Sequence, residues 1–293
     1  MREQLQELIQ KRVQQCVSHT DGKCQKIERK KAAIKARSGD IVKAKAIGKI
    51  ISIGDENNDI RNVKYHVHFK YLIKQKSMFI LEEEVEKRIA EFYKGVLVED
   101  WEFNPYEAPN KTLPAENDNT TKINESLERI AYEYDRLKAV QYAERWWNTP
   151  NPAYKSFEVN CTNYISQCLH AGEAPMRGQP NRGEGWWMTN NNWSYSWSVA
   201  HSMKTHLPAS KIGLRAKVAT SPEKLLLGDV ICYDFQGDGR FDHTTIVTGK
   251  DANGMPLVNA NTYNSRMRYW DYEDSTAYTP NIKYQFLSIL DDR

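Results

Sequence analysis

No stretch of this sequence approaches the roughly 20 apolar residues that a membrane-crossing helix needs. Its opening residues, Met1-Arg2-Glu3-Gln4, run straight into a polar amphipathic helix with no apolar core like that of a secretory signal. The expected location is therefore cytoplasmic, without a signal peptide and without a membrane partner. Charge of one sign is also scarce. A net charge of +3 spread over 293 residues gives no field that would gather nucleic acid. CxxC pairs are missing, and the five cysteines (Cys16, Cys24, Cys161, Cys168 and Cys232) are an odd number, which argues against a disulfide scaffold. Clustered histidines and carboxylates are lacking too, so a metallohydrolase is the least expected enzyme class and neither a cofactor nor a metal is implied.

What is present reads as an α+β protein of two domains. Residues 2–18 carry Leu5, Leu8, Ile9, Val13 and Val17 at the spacing of one helix face. The Lys- and Arg-rich stretch from Lys23 to Arg37 has no interleaved aromatics and is expected to be a solvated helix face or loop. From Asp40 the period changes to two. Ile41 to Ile53, the turn residues Gly54 to Asp59, and the alternation Val63, Tyr65, Val67, Phe69 predict a hairpin with His66 and His68 on its wet face. Residues 78–93 fit either a helix or a long charged strand, and Val96 to Phe103 fits a last strand. The expected boundaries are an N-terminal helix-plus-antiparallel-sheet domain over 1–103, a linker over 104–122 containing Pro105, Pro109 and Pro114, and a second domain over 123–293. Ile123 to Trp147 is read as a scaffold helix that opens the second domain.

The stretch Asn160-Cys161-Thr162-Asn163-Tyr164-Ile165-Ser166-Gln167-Cys168-Leu169 follows a loop with Pro150 and Pro152, and Tyr164, Ile165, Cys168 and Leu169 recur at helical spacing. Cys161 thus falls in the first turn of a buried helix, where unpaired N–H groups and the helix dipole favour an anion. A cysteine at a helix start is ordinarily a small packed hydrophobe. A partner downstream changes that balance. Asp242-His243-Thr244-Thr245-Ile246-Val247-Thr248-Gly249 reads as a strand that begins with His243. The neighbouring strand Pro256 to Thr262 places Asn259 and Asn261 on one face, and either can bond the imidazole. Thiol, imidazole and a polar third residue, in that order, make up the logic of an activated nucleophile.

On these residues the sequence resembles the putative amidase domain family, bacterial papain-like cysteine hydrolases related to CHAP and NlpC-like domains. The cysteine motif, Leu227-Gly228-Asp229-Val230-Ile231, the His243 strand and Leu257-Val258-Asn259-Ala260-Asn261-Thr262 carry the resemblance, which covers roughly residues 130–290. It implies a papain-like domain with the cysteine helix packed on an antiparallel sheet. It also implies Cys161 as nucleophile, His243 as base and then acid, and Asn261 as the residue that orients the imidazole. The family commonly has an acidic residue where Asn160 stands and a histidine where Asn261 stands; asparagine is the papain solution at that third position. Its implied chemistry is hydrolysis of a peptide or amino-sugar amide, with a cell-wall peptide or peptidoglycan fragment as the implied substrate. The N-terminal domain is left as the candidate surface for a protein partner.

Further features bear on ligand handling. Trp186, Trp187 and Trp193 lie among Asn190, Asn191 and Asn192; with Asn163 they are the expected substrate-binding residues, although a loop packed over its own domain would have the same composition. Asn151 and Tyr154 are candidates for an oxyanion donor beside the Cys161 backbone N–H. Asp234 to Asp242 has the rhythm of a calcium loop, but Thr245 stands where a bidentate glutamate would be needed, so a tight turn that delivers His243 is expected. Two other readings use the same chain: a catalytically silent peptide- or glycan-binding module, and acyl transfer to an amine in place of water.

Overall fold

The computed structural model describes residues 1–18, 22–106, 131–189 and 191–292. In chain order these residues begin with helices α1 (Arg2–Val17) and α2 (Gln25–Ala36), then strands β1 (Gly39–Ile53), β2 (Ile60–Gln75), β3 (Met78–Tyr93) and β4 (Val96–Glu102). Helices α3 (Arg136–Trp146) and α4 (Cys161–Ala171) come next. The short strands β5 (Met188–Thr189) and β6 (Asn192–Trp193) follow, then helices α5 (Tyr195–Ser198) and α6 (Ala200–Ala209). The chain finishes with β7 (Arg215–Ala219), β8 (Val230–Asp234), β9 (His243–Lys250), β10 (Pro256–Ala260), β11 (Ser265–Tyr269) and β12 (Lys283–Leu290). The protein is α+β, with helices on antiparallel sheet. No described helix is long and apolar enough to cross a membrane.

The chain forms two compact units. The first comprises Met1–Asn104, Gly249–Asn259 and Tyr263–Pro280; the second comprises Pro105–Thr248, Ala260–Thr262 and Asn281–Arg293. The linker expected over 104–122 lies almost wholly outside the described residues, as do the first residues of the helix expected over 123–147. Residues 131–135 are not helical. Helix α3 starts after Asp135, whose carboxylate accepts the Lys138 N–H at 3.0 Å and so satisfies a first-turn donor.

In the first unit β2 pairs with β1 and β3, β4 pairs with β3, and β11 pairs with β3, all antiparallel. Alternation along β2 points Val63, Tyr65, Val67, Phe69, Tyr71 and Ile73 inward, where they pack with Leu5, Ile27 and Ile34 of the two helices. Residues 78–93 are a strand, and their pattern shows why they look ambiguous. The inward positions of β3 alternate through Ile80, Glu82, Glu84, Glu86, Arg88, Ala90 and Phe92, so charged residues occupy four of these seven buried positions. They meet cations from the helices. Arg12 forks onto Glu86 at 2.7 and 2.8 Å, and Lys26 Nζ lies 2.8 Å from Glu86 and 3.0 Å from Glu102. The basic stretch is therefore helix α2, but Lys26 and Lys30 are buried, against the expectation of a solvated face. A desolvated ammonium is tolerated only because each meets carboxylates.

In the second unit β12 pairs antiparallel with both β7 and β8, and β8 pairs antiparallel with β9, which sets Tyr233 opposite His243. Helix α4 packs on α3 and α5, and its Tyr164, Ile165, Cys168 and Leu169 are buried, the face expected from their spacing.

Candidate active site

Cys161 is the first residue of α4 and is 2% exposed. The helix start is not capped by its own N-cap side chain. Asn160 N–H and Cys161 N–H both donate to Thr262 Oγ1, at 2.8 and 3.1 Å, so a hydroxyl one hundred residues downstream satisfies two of the orphan donors. Thr262 holds this position with φ of 78°, a left-handed conformation that threonine rarely adopts. The Cys161 N–H expected as an oxyanion donor is thus occupied by Thr262 in this state. Asn151 is engaged as well: its Nδ2 donates to the Tyr142 hydroxyl at 2.8 Å and its Oδ1 accepts the Ala153 N–H at 2.9 Å. Tyr154 stacks on Trp197 with ring centroids 6.2 Å apart.

His243 opens β9 and is fully buried. The turn before it is built by Asp234, whose carboxylate accepts the N–H groups of Gly237 at 2.7 Å, Asp238 at 3.2 Å and Gly239 at 2.8 Å. Those bonds consume the oxygens that a calcium ion would use and close the loop as a tight turn. The imidazole Nδ1 lies 2.9 Å from the hydroxyl of Tyr106, a residue that the sequence reading did not single out. The same hydroxyl stands 3.9 Å from Cys161 Sγ. Among the described residues the other polar neighbours of Sγ are Thr162 Oγ1 at 3.8 Å and the Asp242 carbonyl at 3.9 Å. Cys161 and His243 are thereby brought to one point, with a phenol between them. Beside them the Asp242 carboxyl is pushed up to about 6, by burial first and then by the carboxylates of Asp234 and Asp238.

Asn261 has both ends of its amide engaged on the cysteine side. Oδ1 accepts from Asn160 Nδ2 at 2.9 Å, and Nδ2 donates to the Trp147 carbonyl at 2.6 Å. It fixes the residue that precedes Cys161. Asn259 lies in the first unit, where its Oδ1 accepts the Met267 N–H at 2.8 Å.

The expected substrate-binding residues separate into two groups. Asn163 is fully buried and satisfied: its Nδ2 donates to the Lys155 carbonyl at 2.8 Å and to Asn160 Oδ1 at 2.9 Å, and its Oδ1 accepts the Trp197 indole N–H at 2.8 Å. Trp186 and Trp187 are interior side chains. The Trp186 indole donates to Ser166 Oγ at 2.9 Å, and the Trp187 indole is shared between the carbonyls of Asn181 and Glu184. Trp193 alone of the four is only half-buried, with Lys155 Nζ 4.7 Å and the Arg182 guanidinium 4.9 Å from its ring centre. Buried indoles need a hydrogen-bond partner, and the Ser, Asn and Glu residues around them supply it. Sequence composition cannot distinguish such internal partners from ligand-facing ones.

One other cluster has the spacing of a cation site. In the first unit Glu82, Glu84 and Asp274 bring carboxylate oxygens within 4.8 Å of one another. Lys30 Nζ already sits among them, in direct contact with Glu82, 2.6 Å from Asp274 and 3.8 Å from Glu84. A protein cation fills the role that a metal would have.

In this α+β chain a helix-start cysteine, a strand-start histidine and a phenol converge. Residues 133–287 match the family model described as "Putative amidase domain", and the chain belongs to that family. Family membership suggests an amidase-like function. The chain is 54% identical to the uncharacterized protein YhbB of Bacillus subtilis (strain 168), over 91% of its own length and 86% of the relative's. It is also 31% identical to the uncharacterized protein YjcM of the same organism, over 40% of this chain and 28% of that one. No solved structure matches it.

Proposed function

We propose that this protein is a cysteine-dependent hydrolase of amide bonds, with Cys161 as nucleophile and His243 as the base that later protonates the leaving amine. The observation that supports the reading best is that Cys161 Sγ and His243 Nδ1 contact one and the same hydroxyl, at 3.9 and 2.9 Å, at the start of a buried helix. In this reading the thiolate attacks the substrate carbonyl and the helix N-terminus favours the negative charge that develops. The imidazolium gives its proton to the departing nitrogen, and water then releases the thioester. Asn261 contributes by holding Asn160, and through it the first turn of α4. The substrate class is a peptide or amino-sugar amide, with a peptidoglycan fragment as the form that family resemblance favours. Trp193 and Lys155 are the wall along which it would lie. Action inside the cell, without a cofactor, fits this reading.

The deciding experiment is iodoacetamide labelling as a function of pH, with the modified residue located by mass spectrometry in the folded protein. Competing thiols are few. Burial pushes Cys16 up to about 12 and also raises Cys168 and Cys232, leaving half-buried Cys24, which a Cys24→Ser background removes. Selective labelling of Cys161 well below the ordinary thiol range near about 8.5, abolished by His243→Ala, is the expected result. Labelling that ignores Cys161 would favour a second reading, a catalytically silent binding module. Two observations speak for that alternative: both residues are almost wholly buried, and Thr262 occupies the Cys161 N–H.

A further inference from the structure

We propose that the Tyr106 hydroxyl is a catalytic group of this site, the relay that carries the proton between Cys161 Sγ and His243 Nδ1. The inference rests on the reading of Cys161 and His243 given above. It starts from what touches the sulfur. Among the described residues the polar neighbours of Sγ are Thr162 Oγ1, the Asp242 carbonyl and Tyr106, and the imidazole is not one of them. The hydroxyl meets the imidazole instead, at 2.9 Å. Of the three neighbours, the Asp242 carbonyl cannot pass a proton on, and the Thr162 hydroxyl accepts from Thr244 Oγ1 at 3.2 Å. Of these three neighbours, the phenol is the one that also contacts His243 Nδ1.

A hydroxyl accepts and donates at once, so one phenol can serve both neighbours. As the S–H proton moves to the phenol oxygen, the phenol's own proton moves to Nδ1. One S–H and one O–H bond break; one O–H and one N–H bond form. The products are a thiolate, an imidazolium and an unchanged phenol, with no further reactant. In the second half of the reaction the same shift in reverse delivers the Nδ1 proton, through the hydroxyl, to the departing amine nitrogen. The ring is held for this role. Its centroid lies 5.4 Å from that of fully buried Phe235 and 6.0 Å, edge-on, from His243. Tyr106 stands outside the residues 133–287 that match the family model, so this group comes from a segment upstream of the matched domain.

The test compares Cys161 labelling rates between pH 5 and 9 in the full-length Cys24→Ser background, for the parent, Tyr106→Phe, Tyr106→Ala and His243→Ala. Tyr106→Phe keeps the ring packing and removes only the hydroxyl. Its labelling rate near neutral pH is expected to drop roughly tenfold or more, with the profile moved to higher pH. Site-specific 3,5-difluorotyrosine at position 106, which keeps the shape and has a more acidic hydroxyl, is expected to move the profile the other way. A Tyr106→Phe rate equal to the parent's overturns the relay. A faster rate overturns it too and makes the phenol a plug that covers the nucleophile. If His243→Ala slows labelling and Tyr106→Phe does not, the relay alone is lost. If neither does, the Cys161–His243 reading falls and the relay with it.

Discussion

Asn160 Nδ2 donates to Asn261 Oδ1 across 2.9 Å, tying the residue before Cys161 to a segment 101 residues later. Removing that acceptor leaves a buried amide without its partner, which costs about 1–3 kcal/mol. Asn261→Ala is expected to lower the urea midpoint accordingly and to slow Cys161 labelling, because the first turn of α4 loses its anchor. Asn261→Asp keeps the acceptor for Asn160 but sets an oxygen against the Trp147 carbonyl in place of the Nδ2 donor, and is expected to recover little of the stability. An alanine variant with parental stability would remove Asn261 from the anchoring role.

Asn163 makes three hydrogen bonds in full burial, to Lys155, Asn160 and Trp197. Asn163→Ala strands the Trp197 indole N–H and the Lys155 carbonyl, and is expected to cost about 2–4 kcal/mol of unfolding free energy. Were Asn163 a ligand contact instead, the variant would unfold like the parent and differ only in substrate affinity. Chemical denaturation followed by tryptophan fluorescence separates the two outcomes.

In the first unit Glu86 accepts from Arg12, Lys26 and Arg88, the last at 3.0 Å. Burial by itself would raise this carboxyl, but Lys26, Arg12 and Arg88 outweigh it and hold it well below the usual range. A depressed carboxyl stabilises the fold above its unfolded pKa of about 4.3, and that contribution is lost as pH falls below it. Glu86→Ala takes from Arg12 its carboxylate partner, while Lys26 keeps Glu102 and Arg88 keeps Asp100, and is expected to cost about 3–5 kcal/mol at pH 7. A loss under about 1 kcal/mol would mean that the cations find other partners among Glu84, Glu102 and Asp100.

His206 lines a cavity of about 200 Å³ with Arg177, Glu184 and Trp186, and burial lowers its imidazole to about 4. The unfolded chain therefore binds a proton that the fold refuses between pH 6.5 and 4. Stability is full above about 6.5 and declines through that window by up to about 3 kcal/mol. His206→Gln is expected to flatten this part of the stability profile relative to the parent. Parallel profiles for the two proteins would show that the imidazole titrates normally.

The helix that begins at Cys161, the β1–β2 hairpin and the strand that begins at His243 were legible because each is written in local periodicity bounded by turn residues. The site was less legible. Trp186, Trp187 and Asn163 have the composition of a binding surface, yet they spend their polar groups on one another's neighbours in the interior. Strand β3 resisted assignment because its buried face alternates with glutamates, and a polar residue signals burial only once its counter-ion is known.

The sequence by itself determined the β1–β2 hairpin, the cysteine at a helix start and the histidine at a strand start, since propensity and spacing act over a few residues. Tertiary structure alone decided which distant groups complete them. Thr262 caps the cysteine helix, Asn261 holds Asn160, Lys30 fills the carboxylate cluster, and Tyr106 lies between Sγ and Nδ1. Each of these pairings joins residues far apart in the chain, and no local periodicity specifies which donor will meet which acceptor once the chain has folded.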